Sequence, residues 1–121
     1  MTELRSVLDT AVLDQLRVSV GDDPEFLAEL VDDFLQDASV QLESLRVAVA
    51  SDAATDARRA AHTLKGNSRT FGAMQLATLC QEAETAAANG DLSAVLPHLD
   101  EIDGEFRCVS VELLAWRDDR G

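Results

Sequence analysis

Apolar side chains recur at steps of three and four residues through most of the chain, and this spacing constrains the fold more than any other feature. Spacing of this kind places the apolar side chains on one face of an α-helix. Ala and Leu supply most of the apolar residues, and both favour helices. The sequence therefore predicts an all-α protein. The longest series comprises Phe26, Leu27, Leu30, Val31, Phe34, Leu35, Ala38, Leu42, Leu45 and Val49.

Capping and turn residues divide the chain into five predicted helices. Asp22 and Asp23 form an acidic N-cap, and Pro24 follows at the first helical position. Glycines mark the expected helix ends. The predicted helices run from about Thr10 to Val20, from Pro24 to near Ala50, from a cap at Ser51 or Asp52 to Gly72, from about Met74 to Asn89, and from a cap at Asp91 onward, with a kink or split expected near Pro97 or Gly104.

Short connections join these predicted helices, and short connections make successive helices antiparallel neighbours. We therefore expect an antiparallel up-down four-helix bundle with an additional short N-terminal helix packed across one end. No repeat, linker or low-complexity tract divides the chain, so residues 1–121 are expected to form a single domain. Within it, residues 1–8 are interpreted as an N-terminal arm and residues from about 117 to 121 as a C-terminal tail.

The charge balance excludes several classes of partner. The chain carries 23 acidic and 10 basic residues, a net charge of −13. Nucleic acids and anionic membranes are bound through Lys and Arg, so neither partner is expected. No apolar run approaches the roughly 20 residues of a membrane span, and residues 1–9 lack the apolar core of a signal peptide. A cytoplasmic protein is expected.

Two cysteines and two histidines are the candidates for metal binding or a disulfide. Cys80 and Cys108 both fall within helical apolar patterns, which favours reduced, buried thiols over a disulfide. His62 and His98 form no ligand spacing with them, such as Cys-x-x-Cys or His-x-x-x-His. The sequence therefore predicts no metal site and no cofactor, and His98 is interpreted as a surface residue.

The residues that carry chemistry are concentrated in the predicted third helix, around His62. At about 100° per residue, a helix that buries Leu64 turns His62 roughly 160° away, into solvent. Lys65 and Gly66 follow His62 by three and four residues, and Arg69 lies toward the same side. The predicted buried face comprises Ala57, Ala60, Ala61, Leu64, Ser68 and Phe71, with Ser68 expected to hydrogen-bond to the backbone.

The segment around His62 is basic in an otherwise acidic chain. No acid occurs in residues 57–81, whereas four of the ten basic residues lie in residues 58–69. A positive patch of this kind attracts a phosphoryl group or an acidic pocket on a partner. Arg58 and Arg59 are interpreted as salt-bridged or solvated residues, and Arg69 as a candidate phosphate ligand.

An exposed neutral imidazole is a nucleophile near pH 7 and can accept a phosphoryl group. Lys65, one turn beyond His62, supplies a compact cation for the phosphoryl oxygens. Gly66 costs about 1 kcal/mol in a helix interior, which is explained if something approaches His62 closely, or alternatively if a neighbouring helix packs tightly there. We expect no carboxylate to orient His62. The sequence has no Gly-rich nucleotide loop, so the phosphoryl donor is expected on another protein.

These residues resemble the histidine-containing phosphotransfer (HPt) domain of multistep two-component phosphorelays. The likeness extends over about Val7 to Phe106. Asn67 and Arg69 stand where members of that family usually carry small residues. The matching segments are His62-Thr63-Leu64-Lys65-Gly66-Asn67-Ser68, then Phe71-Gly72-Ala73, Leu76 and Cys80, with Asp23-Pro24-Glu25-Phe26-Leu27 and Phe34-Leu35 upstream.

The resemblance implies a monomeric helical bundle that accepts a phosphoryl group on His62 from a receiver-domain aspartate and passes it to another. The partners it implies are receiver domains of a hybrid histidine kinase and of a response regulator. It implies no ATP-dependent kinase activity, and the Mg²⁺ used in transfer belongs to the receiver. A start at Met1 and a complete set of helices favour a chain that works alone.

Two other functions are compatible with the sequence. A non-catalytic helical adaptor would bind a signalling partner without accepting phosphate. An enzyme would use His62 as a general acid or base, which is disfavoured because neither an orienting carboxylate nor a pocket is expected on an exposed helix flank.

Overall fold

The computed structural model describes residues 7–120, and within this range the regular structure is entirely helical. The expectation of an all-α protein is therefore confirmed. The elements are α1 (Thr10–Ser19), α2 (Pro24–Ala50), α3 (Ala54–Thr70), α4 (Met74–Ala88), a short 3₁₀ helix (Leu92–Ala94) and α5 (Leu96–Arg120).

Helices α2 to α5 form the four-helix bundle that the sequence predicts. Helix α3 packs against α2 and α4, and α5 packs against the same two helices, so the four helices enclose one core. Only residues 51–53 and 71–73 connect α2 to α3 and α3 to α4, which makes these neighbours antiparallel. The largest fully buried apolar side chains include Leu27, Leu45, Leu64, Leu76, Ile102 and Leu113.

Helix α1 packs against the end of the bundle, where α3 passes into α4. Leu13 is fully buried in the core, and the Asp9 backbone N–H donates to the Gly72 carbonyl at 2.8 Å. Gly72 has φ +73°, and a Cβ there would lie 2.7 Å from the Asp9 carbonyl oxygen. Both the left-handed backbone and the close approach require glycine at this position.

The ends of α2 follow the expected capping rules, but the start of α3 does not. The Asp23 side chain accepts from the backbone N–H groups of the first turn of α2, as predicted. The cap of α3 is Ala53, which has no capping side chain, and not Ser51 or Asp52. Asp52 instead takes φ +57° and closes α2, because its N–H donates to the Val49 carbonyl and the next N–H donates to the Ala48 carbonyl.

The start of α5 also differs from the sequence prediction. Asp91 caps the 3₁₀ helix, where its side chain accepts from the Ala94 N–H at 3.2 Å. Helix α5 then begins at Leu96, with Pro97 in its first turn, where a missing N–H leaves no helical bond unmade. The split therefore precedes Pro97, and α5 continues as one helix across Gly104.

The two ends of the described chain pack against the bundle. Leu8 is buried and the Val7 N–H donates to Glu112 Oε2 at 3.1 Å, while residues 1–6 of the predicted arm lie outside the described residues. Helix α5 continues to Arg120 through most of the predicted tail, because Trp116 is buried and Arg117 pairs with Asp32 of α2.

The two cysteines have different environments. Cys80 is buried, and its burial, with the nearby Glu84 charge, raises the pKa of the thiol to about 12. Cys108 is exposed, so the expectation of a buried thiol is wrong there. Cys108 precedes the buried Val109 by one residue, which turns it about 100° out of the apolar stripe. Among the described helices, none combines the length and the apolarity that crossing a membrane requires.

Candidate functional site

Helix α3 holds His62 on the outer face of the bundle, as its apolar pattern predicts. Its imidazole is 65% exposed. The predicted inner face is buried against α2 and α4, so packing fixes the rotation of the helix and thereby the outward direction of His62. The buried residues of this face are Ala57, Ala60, Ala61, Leu64, Ser68 and Phe71.

A carboxylate orients the imidazole, contrary to the expectation from the sequence. Glu84 of α4 places Oε2 3.0 Å from His62 Nδ1. The sequence neighbourhood of His62 contains no acid, but α4 runs antiparallel beside α3 and brings Glu84 to it. The expectation that no carboxylate orients His62 was wrong because the carboxylate comes from a different helix.

The charge on Glu84 fixes which ring nitrogen is free. Burial alone would raise the pKa of the Glu84 carboxyl, but hydrogen bonds and charge interactions with Lys65 and His62 outweigh it and hold the pKa below its ordinary value. Glu84 is therefore ionised at neutral pH and can only accept a hydrogen bond. A neutral His62 must donate from Nδ1, so Nε2 carries the available lone pair.

Lys65 lies in the same cluster but is not a free cation. Its side chain is only 12% exposed, and Nζ lies 2.6 Å from Glu84 Oε1 and 2.9 Å from Gln81 Oε1. The Gln81 amide in turn donates to Thr85 Oγ1 at 3.1 Å. Glu84 thus joins the imidazole and the ammonium group, and α4 fixes the position of both side chains.

The basic segment of the sequence does not form an acid-free surface. Glu84 neutralises Lys65 from the α4 side, and Asp37 of α2 accepts from Asn67 Nδ2 at 2.9 Å on the other side. Asn67, at a position where the resembled family usually has a small residue, therefore bridges α3 to α2. The positive charge around His62 that remains is carried by the exposed arginines of α3.

Gly66 and Ser68 have different surroundings. No atom among the described residues lies within 4 Å of the position that a Gly66 Cβ would occupy, apart from its own stretch of helix. The alternative of tight helix packing at Gly66 is therefore wrong, and the surface beside His62 is open. Ser68 is fully buried, and its hydroxyl donates to the Leu64 carbonyl at 2.6 Å, as predicted.

Arg69 lies on the His62 side of α3, where it is exposed and forms no ion pair within residues 7–120. Arg58 and Arg59 are likewise solvated. His98 is less exposed than expected, at 24%, and lies near Glu82 and Glu101. In the part of the chain that the structure describes, no group of three or more His, Cys, Asp or Glu residues is placed to hold a metal ion.

Glu84 and Gln81 were not predicted from the sequence, although a signal for both was present. His62 and Glu84 each lie eleven residues from Ala73, and Lys65 and Gln81 each lie eight residues from it. In an antiparallel helix pair, residues equally distant from the turn lie side by side. Counting as many residues after Ala73 as His62 and Lys65 lie before it gives Glu84 and Gln81.

The Glu84 contact removes one of the two arguments against an enzyme that uses His62 as a general base. The other argument stands, because an imidazole that is 65% exposed on a helix flank does not exclude water from a bound substrate. The site offers an oriented nucleophile on an open surface, which suits a reaction between two proteins.

A sequence model of the Hpt domain matches residues 29–114, and the chain belongs to this family. It is a histidine phosphotransfer protein of phosphorelays. The chain is similar to the crystal structure of histidine-containing phosphotransfer protein B (HptB) from Pseudomonas aeruginosa PAO1, with 31% identity over 96% of this chain and 98% of that chain and a TM-score of 0.87. A comparison with curated proteins gave no match.

Proposed function

We propose that His62 is the residue that carries the phosphoryl group in this phosphotransfer protein. The observation that supports this most is the Nδ1 contact to Glu84, which leaves the Nε2 lone pair on an imidazole that is 65% exposed. Gly66, one turn beyond, leaves the approach to this ring unobstructed. His98, the other histidine, is 24% exposed and faces two glutamates, which repel a phosphoryl group.

The proposed step is a phosphoryl exchange between an aspartate and His62. The Nε2 lone pair attacks phosphorus, the N–P bond forms, and the P–O bond to the aspartyl carboxylate breaks with its electron pair remaining on that carboxylate. The ring becomes positively charged while Nδ1 keeps its proton. The Glu84 carboxylate, 3.0 Å from Nδ1, stabilises this charge, and the return reaction reverses each bond change.

Lys65 has two roles in this proposal. Its contact with Glu84 Oε1 holds the carboxylate against the imidazole. An ammonium group has three N–H donors, and Glu84 and Gln81 engage two of them, so the third is available to a phosphoryl oxygen. Arg69, exposed on the same side about 10.5 Å beyond His62 along the helix, adds positive charge to the surrounding surface. Gly66 permits close approach, and Ser68 helps to hold the helix locally through its bond to Leu64.

The donor in this proposal is the receiver domain of a hybrid histidine kinase, and the acceptor is the receiver domain of a response regulator. The chain then needs neither ATP nor a cofactor of its own, and any Mg²⁺ is bound by the receiver. We further propose that residues 1–121 act as a single monomeric domain in the cytoplasm, away from nucleic acid and membranes. The net charge of −13 supports the last two exclusions.

The test is transfer of radiolabelled phosphate from a phosphorylated receiver domain, with His62→Gln as the variant and His98→Gln as its matched control. The wild type and His98→Gln are expected to take up an acid-labile, alkali-stable label, and His62→Gln is expected to take up none. Phosphoramidate, a small donor that releases ammonia on transfer, repeats the test without a docking partner. Label on His62→Gln, or loss of label only in His98→Gln, would refute the assignment.

A further inference from the structure

The arginines Arg58, Arg59 and Arg69, called here the α3 arginines, differ from the other described arginines in having no carboxylate partner. All three are exposed and form no ion pair within the described residues. The other arginines whose side chains are described each pair with at least one aspartate or glutamate. They are Arg17 with Asp14 and Asp22, Arg46 with Glu43 and Asp103, Arg107 with Asp103, and Arg117 with Asp32 and Asp118.

The absence of partners is unexpected in a chain with 23 acidic and 10 basic residues. With acids in such excess, an exposed arginine has carboxylates within reach at most positions. Residues 57–81 contain no acid, and Asp56, three residues before Arg59, does not pair with it. The charges of the α3 arginines are therefore available to another molecule.

The α3 arginines surround His62 on the helix surface. At about 100° per residue, all three lie within roughly 60° of His62 around the helix axis. At about 1.5 Å rise per residue, Arg58 and Arg59 lie about 6 and 4.5 Å before His62 along the axis, and Arg69 lies about 10.5 Å beyond it. A partner that brings a phosphoryl group to His62 must therefore meet positive charge on both sides of the contact.

We propose that the α3 arginines form an electrostatic docking surface for an acidic rim around the aspartyl phosphate of the partner protein. This inference rests on the proposed function of His62. A net charge of −13 repels an acidic partner everywhere except at this face, so the partner is attracted only in the orientation that presents its phosphorylated carboxylate to His62. The net charge of −13 also disfavours a nucleic acid, because binding its backbone requires Lys and Arg contacts to a series of phosphates.

The test compares two triple variants that each remove three positive charges. R58Q/R59Q/R69Q removes the α3 arginines, and R17Q/R46Q/R107Q removes paired arginines of α1, α2 and α5 as a matched control. Both are assayed with a receiver domain phosphorylated by acetyl phosphate and, separately, with phosphoramidate. Circular dichroism and the urea midpoint establish that each variant is folded.

We expect R58Q/R59Q/R69Q to lose about tenfold in transfer rate from the receiver at sub-saturating concentration and low salt, with the saturated rate nearly unchanged. The wild-type rate is expected to fall as salt rises from about 0.02 to about 0.3 M, and this dependence is expected to flatten in the variant. The paired-arginine control is expected to stay within about twofold of the wild type, and phosphoramidate is expected to label all three proteins equally.

Three outcomes would overturn the inference. They are receiver transfer by R58Q/R59Q/R69Q at the wild-type rate, an equal loss in the paired-arginine control, and an equal loss with phosphoramidate, which would place the arginines in the chemistry and not in docking. Binding of a short DNA duplex that depends on the α3 arginines would overturn it in favour of nucleic acid. Phosphoramidate labelling that His62→Gln abolishes keeps the proposed function intact in each of these cases, so the two failures are distinguishable.

Discussion

The surroundings of His62 and His98 are similar in one respect and different in three. Both imidazoles have Nδ1 near a glutamate, at 3.0 Å from Glu84 for His62 and at 3.3 Å from Glu101 for His98. His62 is 65% exposed and His98 is 24% exposed. Glu84 is itself held by a lysine, whereas the glutamates near His98 are exposed. Among the side chains that the structure describes, only the His62 face has unpaired arginines around it.

The comparison shows that a histidine beside a carboxylate does not by itself make a phosphoryl acceptor. An exposed glutamate samples several rotamers and its charge is screened by water, so it orients a ring weakly. Glu84 is fixed by Lys65 and mostly covered by its neighbours, so its charge acts on the imidazole at short range. The His62 site combines a fixed carboxylate below the ring with an open surface above it.

After His62→Gln, which is expected to abolish transfer, the largest effect on the transfer rate is expected from Glu84→Gln. The amide keeps the size of the side chain and can accept from Nδ1, but it cannot stabilise the positive ring and holds Lys65 less firmly. We expect transfer to His62 to slow by about 10- to 100-fold at pH 7.5, the range found when the hydrogen-bond partner of a metal-ligating histidine is removed. Single-turnover transfer from a phosphorylated receiver measures the rate.

Glu101→Gln makes the same chemical change next to His98 and is the matched control. Its transfer rate is expected to equal that of the wild type. An equal decrease in both variants would show that the distinction between the two histidine surroundings is wrong, and a wild-type rate for Glu84→Gln would show that the Nδ1 contact has no part in transfer.

A smaller effect is expected from Lys65→Ala. Removal of the ammonium group frees Glu84 to move and deletes one donor to the phosphoryl oxygens, so we expect about a tenfold slower transfer and a shorter lifetime of the phosphorylated protein. Lys65→Arg is expected to recover part of the rate, because it keeps the charge. Arg46→Ala, which also removes a cation paired with a carboxylate, is expected to change neither quantity. Wild-type values for both in Lys65→Ala would contradict the assigned role.

The sequence predicted the bundle and the outward direction of His62 because both follow from one periodic signal. Burial of Leu64 on α3 requires a fixed helix rotation, and His62 then lies on the opposite face. The partners of His62 come from a second helix, and their identity depends on how α4 lies against α3. That arrangement follows from the short turn at residues 71–73, and it becomes visible in the sequence only when residues are counted across the turn instead of along one helix.

The same count of residues across a turn that relates His62 to Glu84 also applies at the α2–α3 turn, residues 51–53. Asp37 and Asn67 hydrogen-bond at 2.9 Å, and each lies fifteen residues from Asp52, which closes α2. Polar residues equally distant from a tight helix turn are thus candidates for contact. The same count does not extend to α5, because the connection from Asn89 to Val95 contains a 3₁₀ helix that was not predicted from the sequence.

The two glycines inside helices allow a test of the open surface beside His62. Gly66 of α3 and Gly104 of α5 both have empty space where a Cβ would lie, so Ala at either position is expected to raise the free energy of unfolding by about 0.5–1 kcal/mol. Only Gly66→Ala adds a group beside His62, so only it is expected to slow receiver transfer, by a few-fold. Urea denaturation and single-turnover transfer measure the two effects.

An unchanged transfer rate in Gly66→Ala, with the same gain in stability as Gly104→Ala, would show that the partner does not approach over Gly66. A loss of stability in Gly66→Ala alone would instead show that a neighbour occupies the space beside it. Either outcome would show that Gly66 does not contribute to the difference between the surroundings of His62 and His98.

The smallest effect expected is on the pH dependence of stability. The pKa of Glu84 is lower in the folded protein than its ordinary value of 4.5, so its contacts stabilise the fold above that pH, and this contribution is lost as the pH falls through the lower folded value. Glu84→Gln is therefore expected to lower the free energy of unfolding by about 1 kcal/mol at pH 7 and by less in acid below the folded pKa, where wild-type Glu84 is protonated. Urea midpoints across this range measure the difference.

Asp103 also contributes to the loss of stability as the pH falls. Hydrogen bonds from Arg107 and Arg46 hold the pKa of its carboxyl below the ordinary value, so stability should still fall with acid in Glu84→Gln, but less steeply than in the wild type. Glu101→Gln is expected to follow the wild-type curve, because Glu101 is exposed beside His98. If Glu84→Gln and Glu101→Gln gave the same curve, the carboxylate beside His62 would be no more firmly held than the one beside His98, and the two surroundings would then differ only in exposure and in the unpaired arginines.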